Sequence, residues 1–336
     1  MTTGVFDCLA PEVVISAVEQ ILDIKLYGTI VPYPSYINRV YGLTDDEGRG
    51  LVAKFYRPGR WQEDALLDEH QFILDLDDDE IPVAVPIKDD DGETLFEAEA
   101  VTPEGETSFY FTVFPKRAGR NFDINTDDDW LRLGRLVGRM HTAGRKRRAP
   151  GRLICAPGET TARYIAELLD EGLIHPDCTG DFERITGQVL TRIVPLFEDI
   201  RLERLHGDCH RGNILDRPGE GLLLIDFDDM MRGPAVQDLW LLLPDHAQHA
   251  VTELSLLLTG YREFLDFDLR ELRLIEPLRF MRMIYYLAWC ARQRNDAGFS
   301  AAFPSWGSKA FWIKELEDLE EQASVIFSEP DITRFV

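Results

Sequence analysis

Lysine is scarce in this chain of 336 residues: seven of the 36 basic side chains, the other 29 being arginine. Sixty acidic residues outnumber them and leave a formal net charge of −24. A field of that sign repels nucleic acid and anionic membranes, so neither partner is expected. Long apolar runs are absent, and no stretch reaches the 18 residues of a membrane span. The five cysteines, Cys8, Cys155, Cys178, Cys209 and Cys290, are odd in number and contain no C-x-x-C pair. A disulfide framework and a zinc site are thereby excluded, and reduced thiols are expected. The opening MTTGVFDCLAPEVV has no basic segment followed by an apolar one, so no secretory signal is read there. These absences point to the cytoplasm. Hydrophobic residues at 45% exclude a disordered chain, and the length suits two domains or one two-lobed enzyme.

Neither repeats nor low-complexity segments appear. A helix is predicted over 11–23. Strands follow at 52–56, 82–87, 94–96 and 108–114, with turn residues between them. One amphipathic helix, 62–76, interrupts them with Ala65, Leu66, Phe72, Ile73 and Leu76 at helical spacing. From about 126 the pattern turns helical: 127–141, 161–171, 181–200, 248–264, 269–294 and 308–326. The exception is 205–227, two short apolar runs around a polar loop. The expected fold is α+β and bilobal: a β-rich N-lobe (1–115), a hinge (116–120) and a mainly helical C-lobe (121–336). The acidic runs 75–80 and 89–91 read as solvated charge, and the basic run 145–148 as a helix end suited to cations. The aromatic stretch 285–289 reads as core, and Cys209 as a small packing residue.

The segment Leu205-His206-Gly207-Asp208-Cys209-His210-Arg211-Gly212-Asn213-Ile214-Leu215 carries the chemistry. Asp208 and Asn213 share one tight loop, and Asp226 follows at the end of the next strand. An Asx turn alone would explain Asp208 and Asn213, but not their spacing together with Asp226. Phosphoryl transfer needs a carboxylate to take the proton of the attacking hydroxyl, which suits Asp208. It also needs hard oxygen ligands for a divalent metal, which suits Asn213 and Asp226. Asp208 and Asp226 are thus the expected catalytic pair, with a divalent metal as cofactor.

Upstream, Lys54 lies inside an apolar β run, placed to reach nucleotide phosphates; such a lysine is rarely buried without a partner. Fifteen residues on, Glu69 lies on the inward face of a helix as that partner, with Asp68 and Glu63 as rivals.

These motifs resemble the kinase-like phosphotransferase superfamily that includes aminoglycoside phosphotransferases and choline kinases, and within it a bacterial stress-response branch. The resemblance also rests on residues 35–41, 54–58, 69–72, 138–141, 233–240 and 275–279 and runs nearly end to end. It implies a cytoplasmic Ser/Thr protein kinase of the stress response, ATP- and magnesium-dependent, autophosphorylating and monomeric. Ser35 then resembles a nucleotide contact. Asp238 resembles the aspartate that accepts backbone N–H bonds from the catalytic loop and supports it without touching substrate. The chain departs from protein kinases in lacking G-x-G-x-x-G, in placing Gly207 where they carry Arg, and in reading Asp-Phe-Asp at 226–228. A small-molecule kinase and a catalytically silent nucleotide-binding scaffold are the alternatives. Intact Lys54, Asp208, Asn213 and Asp226 argue against the scaffold.

Overall fold

In the computed structural model, residues 5–102, 105–296 and 298–328 are described. The outer ends of the two expected lobes, 1–4 and 329–336, lie outside them.

The order of elements is α1 (Pro11–Leu22), β1 (Val31–Tyr33), β2 (Arg39–Thr44), β3 (Gly50–Phe55), α2 (Glu63–Asp78), β4 (Phe96–Thr102), β5 (Gly105–Pro115) and β6 (Arg120–Asn121). Then come α3 (Asp127–Gly144), α4 (Ala162–Asp170), α5 (Thr179–Ile193), β7 (Glu203–Leu205), β8 (Ile214–Arg217), β9 (Gly221–Leu224) and β10 (Met231–Gly233). Five α-helices follow among the described residues: α6 (Val236–Trp240), α7 (Val251–Tyr261), α8 (Ile275–Gln293), α9 (Phe299–Ala302) and α10 (Lys309–Ser328). The fold is α+β and kinase-like: an antiparallel sheet in order β1-β2-β3-β5-β4, with α2 beside it, set on a helical lobe.

The sheet has its own core. Val14 and Val18 of α1 are fully buried with Phe55, Phe109 and Phe111, whose rings stack at 4.9 Å for Phe55 and Phe111. In the helical lobe, α3 starts at a capping box. Thr126 Oγ1 accepts the Asp129 N–H, and the Asp129 carboxylate accepts the Thr126 N–H at 3.0 Å. Its apolar face packs on α7 through glycines. A Cβ on Gly134 would fall against the Leu257 carbonyl, on Gly138 against that of Tyr261, and on Gly260 against that of Leu131.

Several elements differ from the sequence expectation. No strand forms over 82–87. Pro82 and Pro86 cannot donate to a ladder, and the segment makes one bridge, Val83 to Leu224. β1 and β2 were not anticipated. Gly42 breaks the apolar alternation of β2, and the Tyr33 ring from the neighbouring strand lies over it in the space a Cβ would take. The helix from 181 ends at Ile193, just before Pro195 and a 3-10 turn. The helix expected from 269 begins instead as a 3-10 turn, and α8 proper starts at Ile275, with Pro277 in its first turn where no donor is lost. Asp75 is not solvated: it is buried and faces Arg204 Nη1 at 2.7 Å. The basic run does sit at a helix end, with Arg145, Lys146 and Arg147 facing Glu203, Asp79 and Asp75.

Replacing Gly134 by Ala should overpack the α3–α7 contact and lower stability by about 1–3 kcal/mol. The urea midpoint of the variant reads this. A second expectation concerns pH. Glu271 accepts the Val236 N–H at 2.9 Å under α6, and burial raises its pKa to about 7. A raised carboxyl pKa stabilises the fold fully below the unfolded value near 4.5, and that contribution is lost as pH rises through about 7. Glu271→Gln cannot ionise, so wild type should lose up to ~3 kcal/mol relative to it between pH 5 and 8.

Candidate functional site

Lys54 projects from β3 into the cleft between sheet and helical lobe. Its ammonium is 3.4 Å from Glu69 Oε1, 3.4 Å from Asp226 Oδ1 and 3.2 Å from Asp228 Oδ1. Burial opposes its charge, but Asp228 and Glu69 outweigh that and hold its pKa well above the ordinary value. Of the three candidate acids Glu63, Asp68 and Glu69 on α2, the structure brings Glu69 to Lys54. Asp68 instead accepts the Gly151 N–H at 2.8 Å, and Glu63 the exposed Tyr110 hydroxyl at 3.4 Å. Glu69 is fully buried, and burial pushes its pKa up. The Arg152 guanidinium at 3.4 Å and the Tyr56 hydroxyl at 3.3 Å hold its other contacts.

Asp226 follows β9 in the left-handed region at φ 61°, a conformation that aspartate tolerates better than most residues. Its carboxylate is half exposed to the cleft. Two residues on, Asp228 is buried. Lys54, Arg60 Nη2 at 3.1 Å and the Asn38 amide at 3.0 Å hold its carboxyl well below the usual range despite burial.

The catalytic-type loop leaves β7 at Leu205 and is held from beneath. Asp238 of α6 accepts the His206 N–H at 2.8 Å and the Gly207 N–H at 2.9 Å, one on each oxygen. His141 Nε2 lies 3.0 Å from the same carboxylate, with its Nδ1 3.1 Å from the Tyr261 hydroxyl. These are the loop nitrogens that the resemblance assigns to Asp238. Gly207 has φ 83°, and a Cβ there would collide with the Asp229 carbonyl, which explains glycine at this position. His206 Nε2 donates to the Ile225 carbonyl at 2.9 Å, and the Ile225 N–H donates to the Asn213 carbonyl at 3.1 Å. The loop is thereby tied to the end of β9.

Within this loop Asn213 Nδ2 donates to the Asp208 carbonyl at 2.9 Å, which turns its amide oxygen away from that bond. Asp208 is partly buried and receives Arg282 Nη2 at 2.7 Å on one oxygen. His210 Nδ1 accepts the Gly212 N–H, so its Nε2 carries the proton that faces the other oxygen at 3.4 Å. Burial alone would raise the Asp208 pKa. His210 and Arg282 reverse that and hold it well below the usual carboxylate range. Ser35 lines the same cleft as Asp208, Asp226 and Asp228.

Sequence reasoning did not foresee Arg282, Arg60 or Arg152. They come from distant segments and carry no local motif. Asn38 lay in a recognised stretch without a role. The stretch 285–289 is not all core: Leu287 and Ala288 are buried, Tyr286 is exposed, and the Tyr285 hydroxyl donates to Asp229 at 3.1 Å. Cys209 is fully buried, and burial raises its thiol pKa.

Among the described residues no three His, Cys, Asp or Glu side chains form a metal cage. The donors available are hard oxygens, the Asp226 carboxylate and the Asn213 amide oxygen. That set fits magnesium, which takes one or two carboxylates and completes its shell with water and phosphate oxygens.

A lysine–glutamate pair over a loop with Asp and Asn, followed by a strand-end Asp, is a phosphotransferase arrangement. Residues 29–275 match the model of the phosphotransferase enzyme family, and the chain belongs to that family. It is 38% identical to stress response kinase A of Escherichia coli K12, over 97% of this chain and 96% of the relative. It is 37% identical to the serine/threonine protein kinase RdoA of Salmonella typhimurium LT2, over the same shares. Among solved structures, amicoumacin kinase hAmiN in complex with AMP-PNP, Ca2+ and Ami superposes with a TM-score of 0.68 at 20% identity. The match covers 97% of this chain and 96% of that one, and it concerns the fold alone.

Asp238→Ala would leave two buried loop N–H groups unpaired. It should lower stability by about 2–4 kcal/mol and reduce turnover as well. Parallel urea titration and ATP consumption assays read the two effects.

Proposed function

We propose that this protein is an ATP- and magnesium-dependent serine/threonine protein kinase of a bacterial stress response. The observation that carries this reading is the convergence on one cleft of Asp208, Asn213, Asp226 and the Lys54–Glu69 pair. The phosphotransferase family supplies the reaction class. The names of the two bacterial relatives support a protein Ser/Thr acceptor and a role in stress.

In this reading Asp208 orients the acceptor hydroxyl and takes its proton as the oxygen bonds to the γ-phosphorus and the bond to ADP breaks. Lys54 positions the nucleotide phosphates, and Glu69 fixes Lys54. Ser35 and the front-loop backbone cover the phosphates in place of a glycine-rich loop. Asn213 and Asp226 hold magnesium, which when bound neutralises phosphate charge. Asp228 is occupied by Lys54, Arg60 and Asn38, so it anchors the basic residues instead. Asp238 keeps the loop in place without touching substrate. The depressed Asp208 pKa keeps the carboxylate ionised across the neutral range. Residues 116–120 act as the hinge between a nucleotide-binding lobe, 1–115, and the lobe 121–336. The protein works in the cytoplasm and phosphorylates itself.

Transfer of labelled γ-phosphate from ATP to protein Ser/Thr, the chain itself included, tests this. Asp208→Asn should still bind ATP and lose on the order of 10²-fold or more in transfer rate. Asp226→Ala should abolish the magnesium-dependent rate. Near-normal turnover in Asp208→Asn would remove Asp208 from its role.

A further inference from the structure

The cleft beside Asp208 opens into a larger cavity of about 500 Å³. Arg60, Asp229, Arg282, Tyr285 and Trp289 line both spaces, so the two are continuous. In a chain of net charge −24, the wall of this cavity carries five arginines and a single carboxylate, Asp229. Asp229 is already engaged by Arg60 Nη2 at 2.6 Å and by Tyr285. Arg57 is closed off by Asp296 at 2.5 Å.

Of the other three, Arg282 is paired with Asp208, whereas Arg163 and Arg292 are not balanced one to one. Arg163 and Arg292 share one carboxylate, Glu167, at 3.8 and 2.6 Å. Both guanidiniums lie over the Tyr164 ring, and both side chains are about half exposed. One positive charge is therefore in excess at that wall. Arg282 stands at the junction, with one nitrogen on Asp208.

We infer that this cavity receives the acceptor, and that the acceptor is a Ser/Thr segment with acidic residues next to the hydroxyl. The inference rests on the kinase reading and adds its substrate class. Guanidinium groups bind carboxylates in paired, charge-assisted hydrogen bonds. Arg163 and Arg292 offer that pairing. Arg282 links recognition to chemistry. A substrate carboxylate competes with Asp208 for it, and its release frees Asp208 to take the hydroxyl proton. Cationic acceptors meet the opposite field.

The test uses the full chain with magnesium, ATP and three peptides that differ only in flanking a central Ser with Glu, Gln or Lys. The Glu peptide should exceed the Gln peptide on the order of 10-fold in kcat/KM, with the Lys peptide lowest. The double substitution Arg163→Gln, Arg292→Gln should bring the Glu-to-Gln ratio toward one, chiefly through KM. Binding of the same peptides to the Asp208→Asn protein, followed by tryptophan fluorescence, reads the preference without turnover. Equal binding and equal kcat/KM for the Glu and Gln peptides would overturn the acidic acceptor and leave the kinase reading standing. Selective binding of the Glu peptide with no transfer to any peptide in wild type would sustain the site and sink the kinase reading instead.

Discussion

One buried ammonium ties the front sheet to the helical lobe. Lys54 comes from β3, Glu69 from α2, and Asp226 and Asp228 from the turn after β9. A charge taken out of water on this scale is tolerable only when its counter-charges are in place. The cleft geometry therefore depends on three separate segments arriving together. Arg152 and Arg60 repeat the device on the other side of the same carboxylates, so the site is a lattice of alternating charge rather than a single ion pair. The lattice also decides which carboxylate is left over. Asp228 is fully engaged, whereas Asp226 is half exposed and, among the described residues, paired with Lys54 alone, which leaves an oxygen available to a metal.

The second constraint is the support of the catalytic-type loop. A loop dense in Gly, His and Asp has little apolar area with which to hold its shape. Asp238 supplies the missing order by accepting two successive N–H groups, and His141 in turn holds Asp238. Close helix packing makes this reach possible. Gly134 and Gly138 let α7 approach α3, and α3 carries His141 while α7 carries Tyr261, its other ring partner. A packing feature with no chemistry of its own thus sets the position of the residue proposed to take the proton.

Scarcity of lysine has a structural counterpart. Nearly every positive charge near the cleft is a guanidinium, whose planar fork can serve several oxygens at once. Arg152 reaches Glu69 and the carbonyls of Phe227, Asp228 and Met230. The one lysine at the centre is the place where a compact ammonium, not a fork, fits among three carboxylates.

The pattern of apolar spacing sufficed for most helices, because a 3.6-residue period survives any tertiary context. The loop 205–215, Asp226, Lys54 and Glu69 were readable for a different reason: phosphoryl transfer demands those groups at those spacings. The sequence alone also set the charge balance and the lack of a disulfide framework. Strands β1 and β2 escaped it, since Gly42 hides the alternation and the Tyr33 ring that lies over it comes from the neighbouring strand. The segment 82–87 looked like a strand because its composition is β-rich, but prolines leave it a single bridge. Pairings over long separations, Arg282 with Asp208 and Arg60 with Asp228 and Asp229, have no local signature at all. Those contacts join residues 74 and 168 or more positions apart, and only the folded chain brings them within reach.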